Sequence, residues 1–169
     1  MYVFDATPLI YLATIDRLGM LTEFADDRVV PERVYEEVVT AGLDAGHADA
    51  RRVERAIDED ILTVAAIEDT ATVERLEAND NLSEADAAVL ALTAHHDAIA
   101  VMDEQYGRDV AAAEGIETRG TAYLVLRSLK RGAITAEEAR ETIDAMVDAG
   151  WYCTPDLYAK LLRQIEDLA

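Results

Sequence analysis

Cysteine occurs once in this chain, at Cys153, so no disulfide can form within it. A thiol without a partner fits a reducing cytosol. No basic residue stands close to Cys153 in sequence, so its expected role is packing beside Trp151 and Tyr152. Lysine is nearly missing: of 15 basic residues, only Lys130 and Lys160 are lysines. No apolar run reaches the roughly 18 residues that a membrane-spanning helix needs. The apolar start, Met1 to Phe4, has no basic segment before it, which argues against a secretory signal. There is no Gly-x-x-x-x-Gly-Lys loop, so a P-loop nucleotide site is not expected. Internal repeats, low-complexity runs and linkers are also missing.

What the chain has is acid. Asp and Glu number 35, and the net charge is −20. An acid-rich, lysine-poor surface suits a protein that stays soluble in concentrated salt, as in a halophilic cytoplasm. That is a statement about solvent and not about fold. It also argues against a simple electrostatic nucleic-acid binder, which carries a basic face. A phosphate-bearing partner would have to be held by metal ions and a few arginines. The length of 169 residues and the apolar share of 51% predict one globular domain with a sizeable core.

The first apolar segment, Met1-Tyr-Val-Phe, ends on Asp5. A second copy of the pattern, Ala98-Ile-Ala-Val-Met, ends on Asp103 and Glu104. Such a run predicts a buried parallel strand that delivers an acid to one edge of a sheet. In open α/β sheets that carboxyl edge is where ligands bind. Further strands are predicted at Val29–Val30, Ile61–Ile67 and Ile116–Thr118. Thr7 and Pro8 are expected to start a helix as N-cap and first helical residue. A short helix is expected over Leu18 to Phe24. A longer one runs from Pro31 to Thr40, stopped by Gly42. Helices follow over Ala48–Asp58, Ala71–Ala78, Ser83–His96 and Tyr106–Glu114. After Gly120 come three helices with no strand between them: Thr121–Lys130, Ala136–Asp148 and Pro155–Leu168. Alternating strands and helices predict a parallel sheet covered on both faces, residues 1–119, with residues 120–169 as a helical extension packed on it.

Four acids can converge at the carboxyl edge: Asp5, Glu37, Asp86 and Asp103. Each also has a plainer role. Asp5 could cap the helix that follows it. Glu37 could be a solvated charge, and Glu36 competes with it. Asp86 lies three residues after Ser83, where an acid completes a capping box. Asp103 could cap the helix near Tyr106. Only the joint pattern is informative. Two carboxylates about 5 Å apart at an effective dielectric of ~20 repel by roughly 3 kcal/mol. Several such pairs rival a domain's net stability of roughly 5–15 kcal/mol. The cluster must therefore be protonated, spread apart or neutralised by a cation. Oxygen-only ligands select hard ions, Mg²⁺ or Mn²⁺. Such an ion polarises a phosphodiester and generates a hydroxide to attack it.

The segments Val3-Phe-Asp5-Ala-Thr7-Pro-Leu-Ile, Val30-Pro31-Glu-Arg-Val-Tyr-Glu-Glu37-Val38, Leu82-Ser-Glu-Ala-Asp86-Ala-Ala-Val-Leu and Val101-Met-Asp103-Glu-Gln-Tyr-Gly107-Arg108 together resemble the PIN-domain nucleases. The likeness extends over essentially the whole chain. Gly120-Thr121, Arg131-Gly132-Ala-Ile134 and Tyr158-Ala-Lys-Leu-Leu162 are similar to an archaeal and bacterial subgroup of PIN proteins, mostly uncharacterised. The resemblance implies a Rossmann-like α/β/α sandwich with about five parallel strands. It implies a metal-dependent ribonuclease that cuts single-stranded RNA with Mg²⁺ or Mn²⁺. Asp5, Glu37, Asp86 and Asp103 would form the metal site, and Thr7 matches the family's hydroxyl near the first Asp. Glu84 and Glu104 are neighbouring acids that could join or substitute. Many relatives are VapC-type toxins, dimeric and paired with an antitoxin. At 169 residues with a helical extension, this chain is longer than a typical toxin.

Other classes fit less well. A phosphoacceptor domain needs a late lysine at a strand end, and Lys130 and Lys160 fall in expected helices. An Asp-x-Asp-x-Thr phosphatase is excluded at Asp5-Ala-Thr7. His95 and His96, late in a helix, are expected at the surface or in packing. Arg108, Arg119, Arg127, Lys130 and Arg131 are the densest basic stretch, open equally to phosphate contact and to balancing acids. The serious rival is a binding module for RNA or protein whose metal site is weak or unused, since it could hold all four acids.

Overall fold

Tyr2, Val3 and Phe4 fit a pleated strand with both faces covered, and all three residues are buried. In the computed structural model, which describes residues 1–68 and 70–169, they form β1 (Tyr2–Phe4). The other strands are β2 (Arg28–Pro31), β3 (Thr63–Ala65), β4 (Ile99–Val101) and β5 (Glu117–Arg119). They make one parallel sheet in the order β3-β2-β1-β4-β5. The chain leaves β1 first toward β2 and β3, then crosses back to β4 and β5. The order therefore reverses between β1 and β4, where Phe4 pairs with Val101. Ligands of open α/β sheets bind outside the carboxyl ends of the strands at such a switch point.

Helices cover both faces, giving a three-layer α/β/α arrangement. They include α1 (Ala6–Thr14), a 3₁₀ turn (Leu18–Glu23), α2 (Glu32–Tyr35), a π-helical segment (Glu36–Thr40), α3 (Ala41–Asp44) and α4 (Ala48–Asp58). Next come α5 (Thr70–Glu77), α6 (Glu84–His96) and α7 (Gln105–Ala113). Last are α8 (Thr121–Lys130), α9 (Ala136–Asp148) and α10 (Pro155–Leu168). α6 is apolar nearly all round. Ala85 to Thr93 are all buried, and the helix packs on β1, β2 and β4 beneath α2 and α5.

Three local expectations need correction. Asp5, not Thr7, occupies the N-cap position of α1, because the chain turns helical at once after β1. The strand expected over 61–67 is only Thr63–Ala65. Gly42 does not stop its helix: α2, the π segment and α3 continue in right-handed helical backbone through it to Asp44. Its missing side chain serves packing, since a Cβ there would lie 2.7 Å from the Cβ of Ala50 in α4.

The core has two adjoining parts. The larger surrounds the sheet and includes Leu9, Leu12, Val30, Leu90 and Met102. The smaller lies among α8, α9 and α10 and holds Ile143, Met146, Trp151 and Ile165, with Tyr11 and Ile15 of the first helix region against it. α8 is the shared wall, with Leu124 in one part and Val125 in the other. Cys153 is half-buried, and burial pushes its thiol pKa up, which keeps it protonated and unreactive. Among the described residues no helix is long and apolar enough to cross a membrane.

Candidate active site

β1 and β4 are neighbours, so the residues after them emerge side by side. The Asp5 amide donates to the Val101 carbonyl at 3.0 Å, carrying the pairing one step past β1. Asp5 is 4% exposed. Its side chain makes no capping bond to α1. Burial pushes its pKa up to about 7, and the charges of Asp86, Glu37 and Asp103 push the same way against the nearby Ala6 N–H. The charges of three other acids thus reach this one carboxyl.

Asp86 comes from the start of α6 and is 8% exposed. It is the acid of a capping box: its amide donates to Ser83 Oγ at 3.0 Å, while Ser83 Oγ and the Ser83 amide donate to Asp86 Oδ2 at 2.8 and 3.3 Å. The plainer role of Asp86 is thus real, and it occupies one oxygen. Oδ1 looks toward Gly107, where an added Cβ would lie 3.9 Å from it and 2.8 Å from Met102 Cε. None of the ion pairs among the described residues includes Asp5 or Asp86. Two buried acids next to one another without a basic partner are costly in an otherwise well-paired fold.

Asp103 is held differently. The Thr121 amide donates to its Oδ1 at 2.7 Å, and Thr121 Oγ1 and Trp151 Nε1 donate to its Oδ2 at 2.6 and 3.0 Å. Asp103 therefore caps α8 and not the helix near Tyr106, whose N-cap is Glu104 without a side-chain bond. A carboxylate has about four lone-pair sites, so one on Oδ1 remains. Gly120 makes this approach feasible, because a Cβ there would lie 2.9 Å from Asp103 Oδ1 and 3.3 Å from Arg108 Nη1.

Glu37 rides on the π-helical segment and is exposed. Single π turns inside helices often mark functional positions. Glu36 beside it pairs with Arg33 at 3.4 Å, and Arg33 also approaches Glu84 at 3.8 Å. Thr7 is half-buried and lines a cleft with Asp103 and Glu104.

Among the described residues no three His, Cys, Asp or Glu side chains stand close enough together to hold a metal ion. The hydrogen bonds give the reason. Ser83 draws one oxygen of Asp86 aside, and Thr121 with Trp151 draws Asp103 toward α8. Like-charge repulsion is relieved here by a raised pKa at Asp5 and by spreading of its neighbours.

The remaining basic and histidine residues sort clearly. His95 and His96 form an edge-to-face pair with ring centroids 4.8 Å apart at the far end of α6 from Asp86. Arg127 donates to Tyr2 Oη, to Tyr123 Oη at 3.1 Å and to Asp26 at 2.9 Å, and it stacks on Phe24. Arg131 donates to the Glu23 carbonyl at 3.2 Å. Tyr2, Asp26 and Glu23 lie at the amino end of the strands, so Arg127 and Arg131 are held mainly away from the acids, although Tyr123 itself lines the acidic cleft. Arg108 and Arg119 do line the acidic cleft. Sequence reasoning missed Thr121, which holds Asp103, and Trp151, Tyr152 and Lys160, which reach that cleft from the C-terminal region. The one available signal was the acid-poor, aromatic run Gly150-Trp-Tyr-Cys153 in so acidic a chain.

No curated relative matches the chain. A family model for DUF3368, a PIN domain, matches residues 1–167. With a parallel sheet in this order and acids at its switch point, the chain belongs to the PIN-domain family.

Proposed function

We propose that this protein is a divalent-metal-dependent endoribonuclease that cleaves phosphodiester bonds in single-stranded RNA. Asp5 carries the reading: it is a buried acid beside a second buried acid, at the sheet's switch point, with no paired cation among the described residues. Membership of the PIN-domain family supports nuclease chemistry. A hard cation offsets the repulsion of such a pair, and the oxygen-only donor set fits Mg²⁺ or Mn²⁺. Asp5, Oδ1 of Asp86 and Glu37 would hold the ion, with the free site on Asp103 Oδ1 and the nearby Glu104 completing the donors. When bound, an ion of this kind supplies Lewis acidity at a phosphate oxygen and a hydroxide near neutral pH.

The chain's own residues do the rest. Asp5 would hold the ion through its deprotonated carboxylate. Asp103 stays oriented by Thr121 and Trp151. Glu37 makes no hydrogen bond or ion pair among the described residues, so it can turn inward without breaking one. Thr7 offers a hydroxyl to the phosphate. A cytosolic enzyme working in concentrated salt fits the acidic composition, and an antitoxin or a second copy could bind without altering this chemistry.

A second reading is a binding module with an unused metal site, favoured by the three donors already on Asp103. Calorimetric titration with Mn²⁺ separates the two. The nuclease reading expects binding in the wild type that is lost in Asp5→Asn. Absence of binding, or equal binding by both proteins, favours the module.

A further inference from the structure

Between Asp103 with Glu104 and the C-terminal helices lies a cleft of about 780 Å³. Asp103, Glu104 and Thr7 form one side of it. Arg108, Arg119 and Lys160 also line it. Three cations share one cleft with two acids, a local enrichment in a chain whose net charge is −20 and whose basic residues number 15. One of the three is a lysine in a chain nearly devoid of them. Arg108 and Lys160 belong to none of the ion pairs among the described residues. Arg119 bridges Glu117 at 2.5 Å and lies over the Tyr123 ring at 5.2 Å.

Tyr152 stands on the rim of the same cleft and is 85% exposed. Its exposure is built, not incidental. Gly150 takes φ +99°, a conformation side-chain-bearing residues rarely adopt, and turns the chain sharply after α9. Trp151 next to it is buried and tied through Nε1 to Asp103. The turn is thus anchored on the acidic site and holds the next ring out toward solvent. A lone exposed tyrosine needs no explanation by itself. This one follows a tryptophan tied to a site carboxylate and shares its cleft with three cations.

We infer that the cleft binds a single-stranded RNA segment, with Tyr152 as a platform for one base and Arg108, Arg119 and Lys160 as phosphate contacts. Every base has a π-face, so a stacking platform grips without reading sequence. The inference rests on the ribonuclease reading and assigns its substrate grip to the C-terminal helices. A protein segment in the cleft is the competing occupant, and it has no use for nucleobases.

The test measures binding by fluorescence anisotropy in EDTA, where cleavage cannot contribute. The probes are a labelled single-stranded RNA and an abasic oligonucleotide of equal length. Tyr152→Ala should weaken RNA binding about tenfold and leave abasic binding unchanged, while Tyr152→Phe keeps wild-type affinity. Arg108→Ala and Lys160→Ala should weaken both probes alike. Each should also reduce the slope of log affinity against log salt by about 0.7. Equal RNA affinity of wild type and Tyr152→Ala overturns the inference, as does an equal loss for the abasic probe. Wild type that binds neither probe at any salt also overturns it and points to a protein occupant. Cleavage with Mn²⁺ is scored separately. A cutting enzyme indifferent to Tyr152 removes this inference alone. Tyr152-dependent binding without any metal-dependent cutting removes the ribonuclease reading alone.

Discussion

Trp151 donates its indole N–H to Asp103 Oδ2 at 3.0 Å across 48 residues of sequence. The only tryptophan of the chain is thereby tied to an acid of the candidate site. The bond fixes the C-terminal helices on the carboxyl edge of the sheet and fixes the orientation of Asp103. Trp151→Phe keeps the ring and removes the donor. A hydrogen bond to a charged group is worth about 1.5–3 kcal/mol, so urea denaturation should show a loss of that order. In the wild type, Mn²⁺ that engages Asp103 should change the tryptophan emission, which a titration in the fluorimeter reads directly.

Gly120 is where backbone meets carboxylate. A methyl there would sit 2.9 Å from Asp103 Oδ1, so Gly120→Ala must push Asp103 or α8 aside. Overpacking of this kind costs about 1–3 kcal/mol. The thermal midpoint should fall, and activity should fall at least tenfold as Asp103 is displaced. Midpoint and activity both unchanged would mean that Asp103 is free to relocate.

Asp5 predicts a pH dependence of known sign. Its folded pKa is raised from 3.8 to about 7, so the folded protein holds this proton more tightly than the unfolded chain. The resulting stability is fully present below the unfolded value and is lost as pH rises from about 4 through 7. The shift corresponds to roughly 4 kcal/mol at most. In EDTA at fixed salt, Asp5→Asn should therefore be more stable than wild type at pH above 7, by a margin that vanishes toward acid. Denaturation curves of the two proteins across pH check this, and an Asn variant less stable at alkaline pH would contradict it.

Arg127 should matter for the fold and not for RNA. It joins Tyr2 and Asp26 at the amino end of the sheet and reaches only the hydroxyl of Tyr123, leaving that ring to Arg119. Arg127→Ala should destabilise by about 0.5–3 kcal/mol, the usual range for a broken network. Its RNA affinity, measured below the unfolding transition, should equal that of wild type.

Local chemistry made much of this legible in advance. The bounds of α8, α9 and α10 agree with the sequence reading, and the starts of α9 and α10 carry their own signals. Thr135 with Glu138 forms a capping box, and Thr154 precedes Pro155. Asp5 and Asp103 were readable because an apolar run ending on an acid is a local pattern. Gly42 misled because its role is contact with Ala50 in another helix, which no helix-stop rule contains. Asp103's partners were hidden for the same reason: Thr121 and Trp151 lie 18 and 48 residues away. The basic stretch divided along α8, whose length carries Arg127 to the opposite edge of the sheet from Thr121.

The most direct measurement is cleavage of a single-stranded RNA by purified protein at molar salt, with and without Mn²⁺, by wild type and Asp5→Asn. The account predicts cutting that requires the ion and falls by orders of magnitude in the Asn variant, while that variant stays folded. No cutting with Mn²⁺ or Mg²⁺, or equal cutting by both proteins, would contradict it.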